Sequence, residues 1–282
     1  MDTDLETLAT ALYVTADDLL KAHPEITPSR PRVGIAPAIT DAEALTLAAI
    51  APLVGINTER RFLRYARKHL RGMFPYIPGQ SGYNKRLRAL AGTIGWLAAA
   101  LATTTSVYTD DVHLVDSTPI ECARSRPTVM RSDLAGWAGY GYCASHSRFF
   151  WGLRLHLVCT VHGLPVGWAL TGAKADERET LLAVLATMDQ PAQDGQVVIA
   201  DKNYYGAAFE AELAKGGITL IRPRRKGERP RSGQRFLRPL RQIIESVNDT
   251  LKGQLDLEDH GARTWSAWCF SDWGSFSSRE SI

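Results

Sequence analysis

Three acidic residues have the type and setting to do phosphate chemistry. Asp116 follows the apolar run Val112-His-Leu-Val115, and Asp201 follows Gln196-Val-Val-Ile-Ala200. In open α/β sheets chemistry gathers at the carboxyl ends of strands, so acids at two such ends can face one cation. Either aspartate alone reads more readily as a capping or turn residue. Glu245 lies in the segment 239–255. Its apolar positions Leu240, Ile243, Ile244, Val247, Leu251 and Leu255 share one side of a helix. Arg241, Glu245, Asn248 and Lys252 form a second stripe, offset by roughly a quarter turn. Alone, Arg241 and Glu245 read as an i,i+4 ion pair on a solvated face, contributing a few tenths of a kcal/mol. Together the acids suit Mg²⁺, a hard cation held by a few carboxylates that completes its shell with water and phosphate oxygens. Two such ions about 3.5–4 Å apart activate a water or a 3′-hydroxyl and stabilise the leaving oxygen, with no side-chain nucleophile. Arg241 and Lys252 would hold phosphates and offset repulsion between the acids.

These acids need a scaffold, and its pattern changes along the chain. Residues 1–105 read as helical. Leu5, Leu8, Ala9 and Leu12 recur at helical spacing, as do Ala44, Leu45, Leu47, Ala48 and Ile50, with Pro24, Pro28, Pro31 and Pro37 between them. A third helix is predicted over 58–70 and a fourth over 83–102, separated by a Gly/Pro loop. From about Ser106 strands alternate with helices. A short strand precedes Asp116, and a hairpin over 149–170 turns at His162-Gly163. A helix over 177–188, a strand before Asp201, a short helix over 207–214, a strand over 218–221 and the glutamate helix follow. This order predicts an α/β fold, a mixed sheet covered by helices. The stretch 121–149 is expected to be a loop whose Trp137, Tyr140 and Tyr142 pack against the sheet, with base stacking as the alternative. His156, on a strand, is expected to be a core residue or one that supports the site from behind.

The bulk composition narrows the class. A chain of 282 residues, 45% hydrophobic and 22% charged, is an ordinary globular composition. Cys122, Cys143, Cys159 and Cys269 form no Cys-x-x-Cys pair and no zinc spacing, which points to reduced thiols in a cytoplasmic protein. The N-terminus is acidic and lacks an apolar signal core. The longest apolar run, 89–102, contains two glycines and falls short of the roughly 20 residues a bilayer requires. Secretion and a membrane location are not expected.

Several segments in order match a known family. They are Val115-Asp116-Ser117-Thr118-Pro119-Ile120, then Gly152-Leu153-Arg154-Leu155-His156-Leu157 with the Gly163 turn. Leu170-Thr171, Ala175-Asp176-Glu177-Arg178 and Ala200-Asp201-Lys202-Asn203-Tyr204 follow, and Arg241-Gln-Ile-Ile-Glu245 with Lys252 completes the set. The chain resembles the DDE transposases of bacterial insertion sequences, most closely the insertion sequence 982 family, over about residues 45–260. The resemblance implies an RNase H-like fold with Asp116, Asp201 and Glu245 as catalytic, metal-holding acids. It also implies two Mg²⁺ ions, for which Mn²⁺ would substitute. Arg241, Glu245 and Lys252 fit the family's helix pattern, but Arg238 stands where a tyrosine is usual and Asn203 where a glycine is usual.

Basic residues cluster in two places. Nine cations and one acid, Glu228, fall between Arg222 and Arg241. Arg222, Arg224, Arg225, Lys226 and Arg238, with Lys202, are expected to contact DNA phosphates, which dominate affinity. Arg60, Arg64, Arg67 and Arg71 make one stripe on the third helix, so the region 1–105 is expected to bind the element's ends. Region 106–264 is the expected catalytic domain. The tail, 265–282, carries Trp265, Trp268 and Trp273 among six serines and has no helical or strand period, as a shifted reading frame or truncated copy would give. The expected partners are double-stranded DNA and further copies of the chain on that DNA. The leading function is a Mg²⁺-dependent transposase, and the alternatives are a nuclease with the same metal chemistry or an inactive DNA-binding remnant.

Overall fold

The computed structural model describes residues 3–29, 36–56, 58–123, 125–143, 147–188, 195–231, 233, 237–255 and 257. The tail 265–282 and Cys269 lie outside the described residues. The chain divides into two compact units, 1–100 with 254–282, and 101–253.

The first unit is helical: α1 (Thr3–Ala22), a 3-10 turn (Pro24–Ile26), α2 (Asp41–Leu53), α3 (Glu59–His69), α4 (Gln80–Ala89) and α5 (Ala91–Thr103), whose last residues enter the second unit. Thr40 and Glu43 start α2 with a reciprocal capping box, satisfying backbone donors that the first turn leaves free. Ala44, Leu47 and Ile50 of α2, Phe62, Leu63 and Ala66 of α3, and Leu87 and Leu90 are buried. An ion pair between Arg86 and the buried Asp41 ties α4 to α2. The helix expected over 83–102 is two helices. Leu90 (φ −90°, ψ 6°) forms a tight turn whose N–H bonds both the Arg86 and Leu87 carbonyls, and its side chain is fully buried. The apolar run alone did not reveal that break.

The second unit contains β1 (Val112–Ala123), α6 (Arg126–Met130), β2 (Gly139–Cys143), β3 (Arg148–Thr160), β4 (Pro165–Gly172), α7 (Glu177–Thr187), β5 (Val197–Ile199), α8 (Ala207–Lys215), β6 (Thr219–Ile221) and α9 (Leu237–Gly253). The sheet order is β2-β3-β1-β5-β6, with β4 also paired to β3. The β1–β3 and β3–β4 pairs are antiparallel, whereas β1–β5 and β5–β6 are parallel. Val115 and Val158 share a core with Leu181 and Val184 of α7 and Phe209 and Leu213 of α8. Side chains alternate along a strand, so Asp116 faces the other way, and there α9 supplies Asn248 against it. A mixed sheet with helices on both faces is the RNase H-like arrangement, preceded by an all-helical region, as the sequence led us to expect.

Two strand expectations change. Asp116 does not end its strand, because β1 runs on to Ala123 along β3. On its other edge β1 pairs with β5 only over Val112–Leu114. Pro119, which has no N–H to give, therefore stands where that second edge has no strand beside it. The stretch 121–149 is also no plain loop, since it holds α6 and β2. β4 covers β3 only from Leu153 to Cys159, and β2 fills the same outer edge from Arg148 to Gly152. Alternation along β2 buries Gly141 and Cys143 and leaves Tyr140 53% and Tyr142 48% exposed; Trp137 is 58% exposed. These aromatics do not pack into the sheet. His156 is buried, with Nε2 2.9 Å from Thr171 Oγ1. Cys159 is a buried free thiol. Among the described residues no helix is long and apolar enough to cross a membrane.

Candidate active site

The end of β5 creates the site. Beyond Leu114 the β1 edge is open, and Asp116 is the second residue past the last parallel pair. Asp201 is the second residue past the end of β5, and α9 lies alongside. The result is a cleft with about 280 Å³ of empty space, open to solvent. Asp116, Asp201, Arg241 and Glu245 line it, with Leu114, Ile199, Leu240 and Ile244 as apolar walls.

The two aspartates are held differently from the glutamate. Asp116 Oδ2 accepts a hydrogen bond from Asn248 Nδ2 at 2.9 Å, and Asp201 Oδ1 accepts one from the Asn203 N–H at 2.7 Å. Burial pushes the Asp116 carboxyl up to about 6, with the Asp201 and Glu177 charges adding to the rise and the Ser117 N–H and Arg241 opposing it. Burial also raises Asp201; Glu177 adds to that rise, while the Asn203 N–H, Arg241 and Lys202 oppose it. Glu245 is 56% exposed, and its Oε1 is 3.7 Å from Arg241 Nη2. It lines the same cleft but is turned toward its helical neighbour. Among the described residues, no three His, Cys, Asp or Glu side chains are posed closely enough to enclose a metal.

The donor set nonetheless suits a divalent cation. Both carboxylates are desolvated and the Asp201 charge raises Asp116 further, and such negative charge is what a hard cation offsets. The third carboxylate, Glu245, is exposed on the helix surface.

A family model described as the transposase DDE domain matches residues 108–267, more than half of the chain. This chain belongs to the DDE transposase family. No curated protein matches it. The DDE match takes in β1 through α9, and with them all three cleft acids.

The cations of this family member fall into distinct settings. Arg224, Arg225, Lys226, Lys202 and Arg238 are exposed. Arg225 lies over the Tyr205 ring, 3.6 Å from its centroid. Arg222 differs: only 2% exposed, its guanidinium bonds Glu210 at 2.8 Å and Glu228 at 2.9 Å. Its donors are engaged inside the protein, so it organises the loop instead of presenting charge to a phosphate. Lys252 is half-buried near the end of α9. Arg60 and Arg64 on α3, and Arg71 just past its end, are exposed, whereas Arg67 is half-buried and donates to the Pro78 carbonyl at 2.6 Å.

Some contributors escaped sequence reasoning. Asn248 was visible only as a member of the Glu245 stripe, without a role. Arg154, a cation flanked by Leu153 and Leu155 on β3, bonds both Ser117 and Glu177. A charge inside an apolar strand was the available signal.

Proposed function

We propose that this chain is an insertion-sequence transposase, of the insertion sequence 982 kind, in which Asp116, Asp201 and Glu245 serve as ligands for two Mg²⁺ ions. The reading is supported above all by one observation: three acids far apart in sequence line a single cleft in a domain of the DDE transposase family. Bound Mg²⁺, or Mn²⁺ in its place, would supply Lewis-acid charge and a water or 3′-hydroxyl of lowered pKa.

The chain's own residues do the remaining work. Asn248 and the Asn203 N–H orient the two aspartates. Arg241 tempers their repulsion and, with Lys252 and Lys202, holds phosphates of the bound strand. The apolar walls limit water to the open side. Exposed Arg224, Arg225, Lys226 and Arg238 bind DNA phosphates along the approach, and Arg60, Arg64, Arg67 and Arg71 bind the element's ends. The reaction is hydrolysis of a phosphodiester at the element end, then in-line attack of the freed 3′-hydroxyl on target DNA. Holding two ends together calls for more than one copy of the chain on DNA, in the bacterial cytoplasm.

Labelled element-end DNA with Mg²⁺ tests this reading. Wild type should cleave and join, while Asp116→Asn and Asp201→Ala should bind the DNA without cleaving it. Cleavage without joined products would make the protein a nuclease. DNA binding with no Mg²⁺-dependent cleavage by wild type would make it an inactive remnant.

A further inference from the structure

Ser117 follows Asp116 on β1, and its side chain points to the opposite face of the sheet. There its Oγ donates to Glu177 Oε1 at 2.5 Å and accepts from Arg154 Nη1 at 3.0 Å. Arg154 Nη1 also donates to Glu177 Oε1 at 2.5 Å. Three elements meet in this triangle. Arg154 on β3 pairs with Pro119 of β1, which makes it a diagonal neighbour of Ser117. Glu177 is the first residue of α7, and the Asp176 side chain fixes that turn by accepting the Arg178 and Glu179 N–H groups.

The network is more polar than the fold requires. The Arg154 and Glu177 side chains are only 16% and 20% exposed. Arg154 Nε and the Tyr204 hydroxyl are buried without a hydrogen-bond partner. Tyr204 lies within electrostatic reach of Glu177, Asp116, Asp201 and Arg154. A well-packed apolar pair would serve stability as well or better, since buried ion pairs rarely outperform hydrophobic replacements. What an apolar pair could not do is grip Ser117, the residue whose N–H lies against the Asp116 carboxylate.

We propose that the Arg154–Glu177 pair is a positioning device for Asp116, acting through Ser117: it holds that side chain on one face of β1 so that Asp116 stays aimed into the cleft on the other. This inference rests on the proposed role of Asp116 as a cation ligand. Outer groups that orient a ligand typically change metal affinity or activity about 10–100-fold when removed.

The test uses the full chain and follows Mn²⁺ binding by the loss of the free-ion electron paramagnetic resonance signal, beside Tm. Asp116→Asn should abolish tight Mn²⁺ binding. Arg154→Met combined with Glu177→Leu should keep or raise Tm yet weaken Mn²⁺ binding about 10–100-fold. Ser117→Ala should weaken binding similarly with little change in Tm, and Ser117→Thr, which keeps the hydroxyl, should restore it. Wild-type affinity in Ser117→Ala or in the apolar double variant overturns the positioning role while leaving the site assignment intact. If the double variant fails to fold, the Ser117→Ala and Ser117→Thr comparison decides alone. Wild-type affinity in Asp116→Asn instead overturns the site assignment, and the inference with it.

Discussion

At Asp116 burial and like-charged neighbours outweigh the Asn248 amide, the Ser117 N–H and Arg241, so its carboxylate is poorly compensated while no cation is bound. Its pKa of about 6 lies above the ordinary 3.8, so the folded protein takes up this proton more readily than the unfolded chain. The group's contribution to stability is therefore fullest below about pH 4 and is lost as pH rises through about 6. Asp176 and Glu228, held near 2 by their arginine partners, behave oppositely, and their contributions fall away only under much more acid conditions. Metal-free wild type should thus lose Tm relative to Asp116→Asn as pH rises from about 4.5 to about 7.5. At the upper end the Asn variant should be the more stable by roughly 1–3 kcal/mol, given about 1.4 kcal/mol per pKa unit. Mg²⁺ should raise the Tm of wild type there and leave Asp116→Asn unmoved. A difference in Tm that stays flat with pH would contradict this account of Asp116.

At the scale of elements, the connection between β6 and α9 is braced from within. Arg222 joins Glu210 of α8 to Glu228, and Arg231 adds a second bond to Glu210 at 2.8 Å. A loop with so many cations is held in shape by enclosing one of them between two carboxylates. Arg222→Met should therefore lower stability by about 2 kcal/mol, less than a fully buried pair would because both glutamates are partly exposed. Arg224→Ala and Lys226→Ala should leave Tm unchanged. Each should reduce the slope of log K against log salt by about 0.9 for DNA binding, the signature of one lost phosphate contact. Chemical unfolding and salt-titrated binding separate the two roles. Equal effects of all three variants on the salt slope would place Arg222 among the contact residues after all.

For the whole molecule, a net charge of +3 gives little long-range attraction to DNA, so the placement of charge matters more than its sum. Each unit carries its own part of that charge. The helical unit presents the exposed Arg60 and Arg64 of α3 and Arg71 just beyond it, and the α/β unit presents the acid cleft and the β6–α9 cations. Replacing Arg60, Arg64 and Arg71 together by Ala should weaken binding to element ends and lower the salt slope by up to about 3. Cleavage at saturating DNA should keep its wild-type rate, since none of the three lines the cleft. An unchanged slope, measured by fluorescence anisotropy over a salt series, would remove α3 from the DNA-binding surface.

Local pattern alone was enough to read the helical first region, the β3–β4 hairpin at Gly163, the strand before Asp201 and the amphipathic α9. Each is an arrangement of neighbours in the chain, and periods of 3.6 and 2 are written in the order of residues. Asp116, Asp201 and Glu245 stood out for the same reason, as acids at the ends of apolar runs or on a helix stripe. Tertiary structure decided everything that depends on which distant segments meet. Pairing with β3 carried β1 past Asp116, and the short β5 opened the edge where the cleft forms. The uncovered end of β3 called up β2. Folding enclosed Arg222 and left Arg224 exposed, though the two lie only two positions apart in the same basic run. It also set Asn248 on Asp116 and joined Ser117, Arg154 and Glu177, contacts fixed by sheet register and helix docking, which no spacing along the chain encodes.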